Sequence, residues 1–141
     1  MEAEDILVVE DDADARWALK ALLETAGYRV ACAAHGGEAL AYLRQGRSPR
    51  AILLDLSMPV MDGWVFRQQQ QRVAAWALIP VVLLSAEEDL AWQATTLGVA
   101  GCLHKPVEVD LLLATLRALG QPPSLRAGGH AQGVYSKGNT R

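Results

Sequence analysis

The sequence predicts an α/β fold built on a parallel sheet, and two observations carry that reading. Five short apolar runs, at residues 6–9, 28–33, 51–54, 81–84 and 100–103, alternate with longer stretches of helical periodicity, the layout of successive βα units. The runs ILVV, AILL and VVLL are also continuously apolar. A strand of a parallel sheet is covered by helices on both faces and reads this way, whereas a half-solvated antiparallel strand alternates.

The segments between the runs read as helices. In the first, Leu19, Leu22, Leu23 and Ala26 recur at i, i+3, i+4 and i+7, and Gly27 follows where a helix C-terminus favours glycine. In the last, Val109, Leu112, Leu113 and Leu116 repeat that spacing after Pro106. Both stripes are assigned to packing against the sheet. In the fourth helix, the one after the fourth strand, Leu90, Ala94 and Leu97 form the stripe and Trp92 lies off it. An exposed Trp92 is a candidate partner anchor, and burial against a neighbouring helix is the alternative. Trp17, Trp64 and Trp76 are open in the same way.

From Gly120 the texture changes to GQPPSLRAGGHAQGVYSKGNTR, with five glycines, two prolines, three cations and no acid. Residues 1–119 are therefore expected to form one domain, and residues 120–141 a flexible basic tail or linker. Removing the three tail cations from the total of 13 leaves ten against 16 carboxylates, a charge of −6 on the body. An acidic body argues against direct nucleic-acid binding, and no helix-turn-helix pattern follows residue 119. With 51% apolar and 21% charged residues the chain is expected to be globular rather than disordered. Cys32 and Cys102 lack CxxC spacing and are expected to be buried, reduced thiols. The acidic start MEAEDILVVEDD is unlike a signal peptide, and no run approaches a membrane span, so a cytoplasmic location is expected.

Chemistry concentrates at the strand ends. Glu10, Asp11 and Asp12 follow the first run, Asp55 follows the third, Ser85 the fourth, and Lys105 lies just past the fifth. Parallel sheets place functional crevices at these carboxyl ends, where strand order reverses, so neighbouring first and third strands would bring the carboxylates together. Two like charges about 4 Å apart cost roughly 4 kcal/mol at an effective dielectric near 20, which calls for a cation or raised pKa values. Oxygen ligands without histidine or cysteine favour Mg²⁺, with Mn²⁺ able to substitute, or Ca²⁺ over zinc. A carboxylate nucleophile, a metal, a hydroxyl and a lysine are the parts phosphoryl transfer requires. Singly, each has a plain structural role: Asp12 or Asp14 as a helix N-cap, Ser85 in a turn, Lys105 at a solvated loop end.

The segments ILVVEDDADAR, ALLETAGY, AHGGEAL, AILLDLSMPVMDGW, IPVVLLSA and LGVAGCLHKP resemble, in order, the receiver domains of two-component response regulators. The resemblance spans roughly residues 5–119, and LLDLSMPVMDG with the later HKP is its most specific part. It implies a doubly wound, flavodoxin-like (βα)5 sheet of order 2-1-3-4-5. It also implies an aspartate phosphorylated, with Mg²⁺, by a sensor histidine kinase or phosphotransfer protein. On this resemblance Asp55 is the phospho-acceptor and a metal ligand, Asp11 a direct ligand, Glu10 a ligand through water, and Ser57 a ligand through its backbone carbonyl. Ser85 and Lys105 bind the phosphoryl group. Pro59, Asp62 and Gly63 shape the following turn, and Lys105–Pro106 is a cis peptide. Ser57 and Glu87 are the variable positions that tune acyl-phosphate lifetime, and a small Ser57 leaves room for the hydrolytic water.

The family's output runs through the fourth and fifth helices to a downstream protein, coupled by an aromatic residue three positions before the lysine. Here that switch position is Cys102, a small thiol that cannot swing as a ring does. Output is therefore expected to rely on the loop from Ser85 to Glu88 and on the fourth helix. Two other readings compete: a pseudo-receiver that acts only as an interaction scaffold, and a Mg²⁺-dependent aspartyl-phosphate phosphatase of the haloacid-dehalogenase type. The latter's DxD signature is missing, because Ser57 stands at its second aspartate. His35, His104 and His130 have no paired ligands nearby and are read as surface or packing residues.

Overall fold

The computed structural model describes residues 5–55, 63–86, 88 and 90–119. Strands β1 (Ile6–Val9), β2 (Val30–Ala33), β3 (Ala51–Asp55), β4 (Val81–Ser85) and β5 (Gly101–His104) form one parallel sheet in the order β2-β1-β3-β4-β5. The helices are α1 (Ala13–Thr25), α2 (Gly36–Arg44), α3 (Gly63–Gln71), the single turn α4 (Ala74–Ala77), α5 (Leu90–Leu97) and α6 (Val109–Leu119). The expected class and strand order hold. The turn α4 is an addition to the five helices expected, so the helices after the fourth and fifth strands are α5 and α6.

Alternation along each strand explains its continuous apolarity. Leu7, Val9, Ile52, Leu54, Val81 and Leu83 pack with α2, α3 and α5 through Leu40, Leu43, Phe66, Leu90 and Leu97. Ile6, Val8, Leu53, Val82 and Leu84 face α1 and α6 through Leu23, Leu112 and Leu116. A one-residue slip would exchange the two layers, so register is firmly set.

Several expectations need correction. The second strand starts at Val30 rather than at residue 28, because Tyr28 still belongs to the end of α1. The Tyr28 N–H donates to the Leu23 carbonyl at 3.0 Å and that of Gly27 to Glu24 at 3.0 Å, a Schellman closure with Gly27 at φ 103°. Ala26 is the C-cap of α1 and exposed, so it leaves the predicted stripe. Val109, at the open first turn of α6, is 44% exposed. Cys32 is exposed on the outermost strand, while Cys102 is buried as expected.

β3, β4 and β5 each reach one residue further than expected, because Asp55 pairs with Leu84 and Ser85 with His104, and β5 opens at Gly101, opposite Val82, rather than at residue 100. Asp55 and Ser85 are thus held on the ladder itself.

Candidate functional site

β1 and β3 are adjacent, with Val9 opposite Leu54, so the next residues, Glu10 and Asp55, emerge side by side. Carboxylate oxygens of Glu10, Asp11 and Asp55 all lie within 4.8 Å of one another. Glu10 and Asp55 are buried, and Asp11 is exposed at the mouth. Lys105 reaches in from the end of β5, its Nζ 3.3 Å from Glu10 Oε1 and 3.3 Å from Asp55 Oδ1. The Lys105–Pro106 peptide is cis.

The first loop is fastened from several sides. The Glu10 N–H donates to the Ala33 carbonyl at 3.0 Å, which continues the β1–β2 ladder. Asp12 is the N-cap of α1, its carboxylate accepting from the Asp14 N–H at 3.1 Å, so the plain reading of one acid in this cluster is correct. The Asp12 N–H in turn donates to Glu10 Oε2 at 3.3 Å. Arg16, in the second turn of α1, donates from Nη1 to the carbonyls of Glu10 at 2.8 Å and Asp11 at 3.4 Å.

Burial, followed by the repulsion of Asp55, pushes the Glu10 carboxyl up from 4.5 to about 7, against the pull of Lys105 and the Asp12 N–H. At Lys105 burial pulls the ammonium down, but the Asp55 and Glu10 carboxylates outweigh it and the net shift is upward. With all groups ionised, three carboxylates against one ammonium leave two uncompensated negative charges, the charge of one divalent cation. Oxygen donors alone, two of them buried, suit a hard ion of the Mg²⁺ type. Glu10, Asp11 and Asp55 are the residues that would hold it.

Of the residues predicted from sequence, Glu10, Asp11, Asp55 and Lys105 are brought together. Ser85 is buried at the end of β4, its carbonyl accepting from the Lys105 N–H at 2.9 Å. Cys102 is 1% exposed, in the layer that also holds Leu90, Ala94 and Leu97 of α5. Ser57, Glu87, Pro59 and Asp62 lie outside the described residues, as does the segment 120–141; Gly63 opens α3. Trp92 combines both alternatives: it is 61% exposed and its ring lies 6.2 Å from that of Trp64 on α3.

Three features escaped the sequence reading. Arg16 is one, although a cation five residues past the acidic pair was visible. His35 is another: it caps α2, with Nδ1 accepting from the Gly37 and Glu38 N–H groups at 3.1 and 3.3 Å. The third is the buried pair Arg67 and Gln70 on α3, where Arg67 donates to the Leu97 and Gly98 carbonyls at the end of α5, at 3.0 and 2.7 Å.

Comparison with known proteins agrees with this fold. The sequence model of the response regulator receiver domain matches residues 6–117. Protein PilH of Pseudomonas aeruginosa is 33% identical over 117 residues, covering 81% of this chain and 95% of PilH. The DNA-binding transcriptional regulator NtrC of Salmonella typhimurium is 35% identical over 112 residues, 77% of this chain but only 23% of NtrC. The chain thus spans nearly all of one curated relative and a quarter of another. Among solved structures, the Vibrio cholerae chemotaxis protein CheY4 has a TM-score of 0.75 at 31% identity, over 84% of this chain and 99% of that one. The receiver domain of the Pseudomonas aeruginosa sensor histidine kinase PA1611, which has a magnesium ion coordinated in its active site cleft, has a TM-score of 0.76 at 27% identity. That match covers 84% of this chain and 99% of the other.

Proposed function

The chain belongs to the response regulator receiver domain family, and from that membership we propose that it is a phospho-acceptor switch whose acceptor is Asp55. Receiver domains are signalling switches rather than enzymes that turn over a separate substrate. The observation that carries the assignment is the Lys105 ammonium, 3.3 Å from Asp55 Oδ1, beside three convergent carboxylates.

In this reading a carboxylate oxygen of Asp55 attacks the phosphorus of a phosphohistidine on a sensor kinase or phosphotransfer protein. The O–P bond forms as the P–N bond breaks, and the electron pair returns to the imidazole. A bound Mg²⁺ would neutralise the phosphoryl oxygens and the carboxylates around them. Lys105 supplies a second positive charge, and Ser85 a hydroxyl donor at the end of the neighbouring strand. Ser57, through its backbone carbonyl, completes the proposed metal ligands with Glu10, Asp11 and Asp55.

Once phosphorylated, Asp55 carries added charge and strong acceptor oxygens that draw on Ser85 and Lys105. Output passes to a downstream protein through α5 and α6. Cys102 stands at the family's aromatic switch position, so the signal is carried by displacement of α5 and its loop rather than by a turning ring. Residues 1–119 form the receiver domain and residues 120–141 the tail or linker. Small Ser57, with Glu87, gives an aspartyl phosphate of intermediate lifetime; a half-life of many hours would contradict this.

The test is incubation with acetyl phosphate and Mg²⁺ followed by intact mass. One phosphoryl adduct, absent in Asp55→Asn, supports the reading. Turnover of a phosphoester would favour the phosphatase, and no adduct even with a cognate kinase would favour the scaffold.

A further inference from the structure

We propose that Arg16 is a positioning residue for the metal-binding loop, holding the backbone of Glu10 and Asp11 so that their carboxylates face Asp55. The inference rests on the site reading above, and goes beyond it in giving a role to a cation that touches none of the reacting groups.

Helical side chains lean toward the helix N-terminus. From the second turn of α1, Arg16 therefore reaches back past the N-cap Asp12 to the two residues leaving β1. One nitrogen, Nη1, donates to the Glu10 carbonyl at 2.8 Å and the Asp11 carbonyl at 3.4 Å. Glu10 is thereby fixed on both sides of its α-carbon, since its N–H is held by Ala33 at 3.0 Å. Asp11 is less constrained: its side chain is exposed, yet it must stay within 4.8 Å of two buried carboxylates. The orientation of its peptide is what Arg16 restrains.

Helix stability does not explain this placement. A cation near a helix N-terminus opposes the macrodipole, which favours anions there. The two carbonyl contacts offset that cost.

Positioning and plain electrostatics make opposite predictions for Mg²⁺ affinity. If Arg16 acted only as a positive charge near the site, Arg16→Met would relieve repulsion of the incoming cation and tighten binding. If it positions the loop, the same change loosens binding by about tenfold, the usual scale for residues that orient metal ligands. Lys20→Met serves as the control, because it removes from the same helix a cation whose described contacts are Glu24 and the Trp17 ring rather than the backbone of Glu10 or Asp11.

The experiment is calorimetric Mg²⁺ titration of the full chain, with free Mn²⁺ counted by electron paramagnetic resonance as a second readout. Unfolding midpoints in chelator set a temperature at which every variant is folded. The expected result is a Kd about tenfold weaker in Arg16→Met, intermediate in Arg16→Lys, and unchanged or slightly tighter in Lys20→Met. An Arg16→Met protein that binds Mg²⁺ as tightly as wild type, or more tightly, overturns the proposal. Should Arg16→Met not fold, Arg16→Lys decides: wild-type affinity there overturns it, and a loss of several-fold with the charge retained supports it. Failure of the wild-type chain to bind Mg²⁺ saturably overturns the site reading, and the role of Arg16 with it.

Discussion

The backbone N–H of Lys105 donates to the Ser85 carbonyl at 2.9 Å, so the two side chains proposed to hold a phosphoryl group stand on hydrogen-bonded neighbours of one ladder. Their side chains can be altered without removing that link. Ser85→Ala and Lys105→Met should each slow adduct formation with acetyl phosphate, and the double variant should lose less than the sum of the two. A coupling on the order of 0.5–3 kcal/mol is expected for groups that act on one ligand. Initial rates by intact mass measure it, and strict additivity would separate the two roles.

The raised Glu10 carboxyl gives stability a definite pH dependence. Its folded value of about 7 lies above the ordinary 4.5, so the folded state binds the proton more tightly than the unfolded chain between those limits. Stability in chelator therefore falls as pH rises from about 5 to about 7, by at most about 3 kcal/mol from this group. Urea midpoints at pH 5 and pH 8 should show the slope in wild type and its loss in Glu10→Gln. Equal slopes in both proteins would remove Glu10 as the cause.

His35 has a structural task outside the proposed acceptor site. Its Nδ1 accepts from two free amides at the start of α2, and Glu38 Oε1 accepts from the Ala34 N–H at 2.6 Å. His35→Ala should cost about 1 kcal/mol in unfolding free energy, and His35→Asn should restore most of it. Adduct formation at Asp55 should be unchanged in both.

Arg67 joins three elements. Besides the α5 carbonyls it donates to Gln70 Oε1 at 2.7 Å, and Gln70 passes on to the Trp76 and Ile79 carbonyls at 2.8 and 3.1 Å. Arg67→Met would leave the carbonyls at the end of α5 without these donors, at about 2–3 kcal/mol. Amide exchange should quicken in α5 before it does in β1 or β3, and a uniform increase would contradict a local clamp.

Legibility in the sequence followed the physics of each element. The doubly covered strands were readable because burial on both faces leaves no polar residue in ILVV or AILL. The acid and lysine positions were readable because strand ends place them together whatever the helices do. Helix α3 was not readable in the same way. In WVFRQQQQ the buried face is Phe66, Arg67 and Gln70, while Val65 is 40% exposed. Hydrophobicity ranks those residues wrongly, and four adjacent glutamines look alike until the carbonyls above one of them are known. Arg16 was missed for a related reason: its partners are backbone atoms, which no side-chain pattern records.

Cys102, sealed beneath α5, and Cys32, open on the outer strand, are the free thiols among the described residues. Together they form a clock and its reference. An alkylating reagent should consume Cys32 at its chemical rate and reach Cys102 only in the moments when α5 stands away from β5. The ratio of the two labelling rates would then count those openings directly, and comparing that count with and without a phosphoryl group on Asp55 would time the signal as it leaves the sheet.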